Sequence, residues 1–158
     1  MTQLLISKAL DQYSEQYTSD EMPVLAALNR ETNMKIPMPV MLSGHLQGAL
    51  LQMISHMIKP KNVLEIGTYT GYSAICLAQG LQNGGHLHTI DINEELEDIC
   101  FHYFCKAGLE GKISQHIGNA SEIIPALDAT FDLVFIDADK QNYHRYYDLV
   151  IDKVPTGG

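Results

Sequence analysis

Val63-Leu64-Glu65-Ile66-Gly67-Thr68-Tyr69-Thr70-Gly71-Tyr72-Ser73 is the stretch that decides the fold of this chain. Its first part, from Asn62 to Ile66, is a short apolar run, as expected of a strand covered by helices on both faces. Beyond Gly71, the residues Ala74, Ile75, Leu77, Ala78 and Leu81 fall at helical spacing. The reading is strand, acidic glycine turn, helix. Gly67 and Gly71 let the backbone turn sharply and approach a ligand with no Cβ in the way. Downstream, His86-Leu87-His88-Thr89-Ile90-Asp91 reads as a second strand. It ends in an acid about twenty residues on, where a nucleotide-binding βαβ unit places its ribose-binding carboxylate.

The spacing Glu65-x-Gly67-x-x-x-Gly71 is not the G-x-G-x-x-G that brings backbone amides to a pyrophosphate, and no Lys follows to suggest a P-loop. A carboxylate at Glu65 repels phosphate and suits a cationic ligand. S-adenosylmethionine meets these terms: a sulfonium, an ammonium, no phosphate, and ribose hydroxyls for Asp91 to accept. The plainer alternative is that Glu65 and Asp91 cap backbone amides in ordinary α/β turns.

Bulk properties narrow the partners. The 158 residues, 46% of them hydrophobic, suffice for one domain with a real core. A net charge of −9, from 10 Lys and Arg against 19 Asp and Glu, disfavours nucleic acid and anionic membrane as partners. No apolar run approaches the roughly twenty residues of a membrane span, and Met1-Thr2-Gln3-Leu4 lacks the blocks of a signal peptide. The expected location is cytoplasmic. Cys76, Cys100 and Cys105 are odd in number and lack C-x-x-C spacing, so neither a disulfide framework nor a zinc site is indicated. Among the seven histidines, His86 and His88 alternate on one strand face without an evident third ligand. Only His45 and His144 fall near the expected crevice.

The single domain 1–158 divides into a helical leader, 1–60, and an α/β core, 61–158. In the leader, Leu4, Leu5, Ala9, Leu10, Tyr13 and Tyr17 form one amphipathic stripe. A second helix is expected from Ser19-Asp20 with Pro23 in its first turn. Pro37 and Pro39 break the pattern, and Ser43 is expected to cap a third helix ending near Pro60. The stripe of Leu50, Met53 and Met57 on that helix reads as core.

In the core, strand and helix alternate. Asn93 opens a helix with Glu94 and Glu95 in its first turn, and Gly108 closes it. A third strand covers 113–117, a short helix breaks at Pro125, a fourth strand covers 131–136, and a helix follows over 140–154. Such alternation predicts a parallel sheet with right-handed crossovers. Pro155-Thr156-Gly157-Gly158 reads as a turn into another strand. If the first strand is central, Leu133-Val134-Phe135-Ile136 lies at an open edge. The expectation is therefore that C-terminal strands are missing from this chain or that a partner covers the edge; the alternative is a self-contained fold.

A second constellation, Phe135-Ile136-Asp137-Ala138-Asp139-Lys140 with Asn142 and Tyr143, ends the fourth strand. Ligands of open parallel sheets bind outside those strand ends. One carboxylate there suits a hard divalent cation, and Lys140 is a candidate proton acceptor. The alternative is a helix start, with Asp139 as its cap and Lys140 and Asn142 facing solvent.

Taken together, Glu65-Ile-Gly-Thr-Tyr-Thr-Gly-Tyr-Ser73, Ile90-Asp91 and Phe135-Ile-Asp-Ala-Asp-Lys-Gln-Asn-Tyr143 resemble the cation-dependent O-methyltransferases, the group of the caffeoyl-CoA and catechol enzymes and their bacterial relatives. The likeness runs over 41–158, with three motifs in order. It implies a Rossmann-like S-adenosylmethionine-dependent methyltransferase fold behind a helical leader. It also implies a catechol-like phenol as acceptor, a divalent cation (magnesium by preference), and a homodimer. By the same resemblance, the cofactor contacts are Ser43, Glu65, Gly67, Thr68, Ser73, Asp91, Ala120 and Asp139. Asp137 is then a metal ligand and Lys140 the base. The family's other metal ligands, an Asp-Asn pair after a fifth strand, have no counterpart up to Gly158. A basic residue that serves coenzyme A esters is not evident in the leader either.

The expected activity is cation-dependent transfer of a methyl group from S-adenosylmethionine to a small phenol. The alternative, from another class, is a non-catalytic cofactor-binding or interaction module. A nicotinamide dehydrogenase is disfavoured by the glycine spacing.

Overall fold

The computed structural model describes residues 7–158. Leu4 and Leu5 of the first stripe lie outside the described residues. The elements run α1 Lys8–Tyr17, α2 Pro23–Lys35, α3 Gly44–Ile58, β1 Asn62–Ile66, α4 Tyr72–Ala78, β2 His86–Asp91, α5 Glu97–Lys106, β3 Ile113–Ile117, α6 Ala120–Ala126, β4 Leu133–Ile136 and α7 Tyr143–Val150. All four strands are parallel, in the order β3-β2-β1-β4. β1 is therefore central and β4 stands at an edge.

The register places Glu65 beside Thr89 on one side and Phe135 on the other. Because strand side chains alternate, the sheet feeds two cores. Val63 and Leu87 join the helical side with Leu28, Ile75, Leu77, Tyr103 and Phe104. Leu64, Ile66 and Ile90 face the other way, onto Ile124, Phe131, Tyr146 and Val150. Helices thus cover both faces of an α/β parallel sheet, as the alternation predicts.

Three connections bind α2 and the segment before it to the core. Tyr72 donates to Glu21 Oε1 (2.5 Å), Tyr103 donates to Glu31 Oε2 (2.7 Å), and Thr32 donates to Thr70 (3.2 Å). α1 is different: it buries no residue, and Leu10, Tyr13 and Tyr17 are all exposed.

Several expectations are corrected. α2 begins at Pro23 rather than at 19 or 20, because a residue with no N–H is suited to the first helical position. Ser43 precedes α3 but has helical backbone angles and makes no capping bond. The stripe read as core on α3 faces solvent: Leu50 is 51% exposed, Met53 52% and Met57 76%. The buried face is Gly48, Leu51 and Ser55, two positions away and so on the opposite side of the helix. Small residues let α3 close on α4, where Ser55 donates to Leu77 O, and the large ones point outward. β4 starts at Leu133, not 131. The preceding Asp132 is occupied by its carboxylate, which accepts from Lys61 N (2.6 Å) and Asn62 N (3.0 Å). The last expected helix is in three pieces, α7 between 3-10 turns at Lys140–Asn142 and Ile151–Lys153. Among the described residues no helix is long and apolar enough to cross a membrane.

Candidate functional site

The turn from β1 to α4 is built against the end of β4. Gly67 has φ +105°, and a Cβ there would lie 2.3 Å from the carbonyl oxygen of Asp137. Asp137 N in turn donates to Ile66 O (2.9 Å), and Gly67 N donates to Ile90 O (2.9 Å). Glycine is required at this point by both the backbone angle and the contact. Tyr69 follows in the left-handed region at φ +48°, held there by Asp91 Oδ2, which accepts its N–H at 2.7 Å. The Tyr69 hydroxyl reaches Pro37 O (3.0 Å) and ties the turn to the segment before α3.

Beneath the turn Glu65 is fully buried. Thr89 donates to its Oε2 (2.6 Å), and Thr68 lies 2.5 Å from Thr89, hydroxyl to hydroxyl. Oε1 has no partner among the described residues. Burial pushes the carboxyl up to about 7; the Ser73 and Thr89 hydroxyls oppose the shift, and the charges of Asp137 and Asp91 add to it.

Asp91 serves two readings at once. It caps backbone amides, from Tyr69 and from Asn93 (2.9 Å), and it also lines a cavity of about 510 Å³ over the strand ends. Each carboxylate oxygen has a second lone pair to offer. Across β1, Asp137 and Asp139 line the same cavity. Asp137 is exposed, and among the described residues its carboxylate accepts no hydrogen bond. Asp139 is held by neutral donors, Tyr146 Oη to Oδ1 (2.6 Å) and Asn142 Nδ2 to Oδ2 (2.5 Å). The Tyr146 bond, more than the Asn142 one, keeps its carboxyl below the ordinary value. Asp139 therefore does not cap the following turn with its side chain.

The cavity wall contains Ser43, Gly67, Thr68, Ser73, Asp91, Ala120, Asp137 and Asp139 of the expected residues. Glu65 lies behind the wall rather than in it, and Lys140 is exposed outside it. The sequence reading missed Tyr146, whose signal was its place seven residues after Asp139, two helical turns on. It also missed the apolar rim of Ile36, Met38, Met41, Leu42 and Ile92, which reads as loop. With Glu95, the wall carries four carboxylates, and no Lys or Arg among the described residues lines it.

That chemistry fits S-adenosylmethionine, a cation without phosphate, and does not fit a dinucleotide. It supports a metal less well. No cluster of three or more His, Cys, Asp or Glu among the described residues is arranged to hold an ion. Asp137 would be a single ligand. The histidines do meet, but elsewhere: His116 on β3 lies 3.0 Å from His88, and His86 pairs with Ser114. His45 bonds Ser19 O, and His144 is exposed.

A family model described as O-methyltransferase matches residues 15–158. Caffeoyl-CoA O-methyltransferase of Petroselinum crispum is 38% identical over 165 residues, covering 98% of this chain and 67% of that protein. Caffeoyl-CoA O-methyltransferase 5 of Nicotiana tabacum is 36% identical over 162 residues, covering 98% and 68%. This chain thus spans about two thirds of the length of these relatives. Among solved structures, the O-methyltransferase TomG from Streptomyces achromogenes, in complex with SAM, is similar with a TM-score of 0.86 and 29% identity, over 93% of this chain and 67% of that one. The O-methyltransferase from Bacillus cereus, in complex with SAH, has a TM-score of 0.85 and 30% identity, over 93% and 68%.

Proposed function

The chain belongs to the O-methyltransferase family, as an S-adenosylmethionine-dependent enzyme, and from that premise we propose that it methylates a hydroxyl of a small catechol-like phenol with the help of a divalent cation. The observation that carries the cofactor half is the wall itself: four carboxylates, no Lys or Arg among the described residues, and a glycine turn packed on backbone. When bound, S-adenosylmethionine supplies an electrophilic methyl group: its C–S bond breaks as a C–O bond forms, the hydroxyl proton leaves, and S-adenosylhomocysteine remains.

The chain's own residues bind and orient. Asp91, stiffened by two backbone N–H groups, accepts from the ribose hydroxyls. Asp139, on the other side of β1, faces the ammonium, and Thr68, Ser73 and Ala120 close the wall between. The rim of Met38, Met41 and Ile92 is apolar and exposed, suited to covering an aromatic ring and keeping water from it. Lys140, just outside, is the candidate acceptor of the phenol proton. Asp137 would supply one ligand to the cation, whose chemistry would be to favour the phenolate.

The test begins with calorimetric titration of S-adenosylmethionine and, separately, NADH. Binding of the first and not the second is expected, weakened by Asp91→Ala. Mass spectrometry then follows methylation of a panel of catechols with magnesium and with EDTA. Activity indifferent to EDTA overturns the cation role. Tight cofactor binding with no turnover on any phenol replaces the enzyme reading with that of a binding module.

A further inference from the structure

The three aspartates around the cavity are restrained in three different ways. Asp91 is held by backbone N–H groups, Asp137 by none among the described residues, and Asp139 by two side chains. Asp139 is exposed at the start of a 3-10 turn, where an acidic side chain ordinarily rotates freely. Its anchor is not. Tyr146 is only 7% exposed, packed on α7 in the core that holds Leu64, Ile66 and Ile90, and its hydroxyl emerges at the cavity wall.

The nature of the donors matters as much as their position. A lysine or arginine partner would fix the carboxylate but cancel its charge. A phenol and a primary amide fix it and leave the charge in place. One lone pair on each oxygen is used, and one on each remains. Asp139 and Asp91 lie on opposite sides of β1, so a ligand lying across Gly67 with its ribose at Asp91 brings its amino-acid end to Asp139.

We propose that Tyr146 is a positioning residue: with Asn142, it holds the Asp139 carboxylate in the orientation that receives the ammonium group of the cofactor. This rests on the cofactor reading given above. The role is in binding the amino-acid end of the cofactor, not in methyl transfer itself.

The experiment compares two ligands by calorimetry on the whole chain. S-adenosylmethionine carries the ammonium, whereas 5′-methylthioadenosine keeps the nucleoside and lacks the amino-acid end. Tyr146→Phe retains the buried ring and removes only the hydroxyl. It is expected to weaken S-adenosylmethionine about tenfold, as for loss of a bond to a charged group, and to leave methylthioadenosine within about twofold. Asn142→Ala, an exposed change that spares the core, is expected to show the same selectivity with a smaller loss. In an Asp139→Asn background, Tyr146→Phe should add nothing, because the two residues act as one unit.

Equal weakening of both ligands by Tyr146→Phe would mean a damaged wall and would overturn the proposal. So would unchanged affinity for S-adenosylmethionine. If the parent protein binds neither ligand, the cofactor reading fails along with it, which is distinguishable from either of those results.

Discussion

Replacing Gly67 by Ala tests how the two halves of the site are joined. Two costs are expected. The first is conformational: at φ +105° an L-residue is strained, by about 1–2 kcal/mol. The second is contact, since the new Cβ would lie 2.3 Å from Asp137 O, about 1 Å short of ordinary van der Waals separation. The obstacle is backbone and cannot rotate away. Relief requires the end of β4 to move off β1, which strains the bond from Asp137 N to Ile66 O and forfeits about 1 kcal/mol more. A total of about 2–3 kcal/mol follows. Gly84→Ala is the control, because Gly84 also has positive φ (+74°) but nothing lies within 4 Å of its Cβ position; it should lose only the first part. Urea unfolding with linear extrapolation measures both. If Gly67→Ala is no more destabilising than Gly84→Ala, the claim that the β1 turn is seated on the β4 backbone is wrong.

Other expectations concern charge. The Glu65 carboxyl, raised to about 7, is easier to protonate folded than unfolded. Its contribution is therefore complete below the ordinary value of 4.5 and is lost as pH rises through 7. Glu65→Gln should accordingly raise the urea midpoint of the cofactor-free protein at pH 8 and not at pH 4. An equal gain at both pH values would argue against a raised, buried carboxyl at Glu65. For the histidine group the sign reverses: burial lowers His86 and His116 and brings His88 to about 4, so stability is full above the unfolded value near 6.5 and is lost as pH falls toward 4. His88→Phe should flatten the melting temperature across that window, and an unaltered slope would contradict the assignment. Asp132→Ala leaves the amides of Lys61 and Asn62 without their acceptor and is expected to cost about 1–3 kcal/mol in urea unfolding, with little change in affinity for S-adenosylmethionine.

The strands were the most legible elements. Asn62–Ile66, His86–Asp91 and Ile113–Ile117 match their expected bounds, because each stops abruptly at a glycine or an acid, Gly67, Asp91 or Gly118. Seven of the eight expected residues that share the cavity wall do so for the same reason, lying at or just past strand ends, while Ser43 reaches it from the segment before α3. Helix orientation was harder. α3 is apolar on both faces, and periodicity does not show that Gly48 and Ser55, being small, mark the side of close approach. Nor does spacing along one strand reveal what the next strand supplies. His116 meets His88 only through the β2–β3 register, which pairs Ile90 with His116 and His88 with Ser114. Glu65 was found by its position after an apolar run. That it lies under the turn and not in the wall depends on which way a β1 side chain points, and Thr89 on the neighbouring strand settles that.

The threonine pair above Glu65 gives the cavity wall a direction. A hydroxyl owns one proton. While Glu65 is ionised, Thr89 must spend its proton on the carboxylate, so Thr68 must spend its own on Thr89. Thr68, a wall residue, then has only lone pairs left to show. Once Glu65 is protonated the order can run the other way, with Thr89 donating to Thr68 and Thr68 free to donate outward. An acid that never reaches the cavity thus determines whether one point on its surface gives or takes a hydrogen bond.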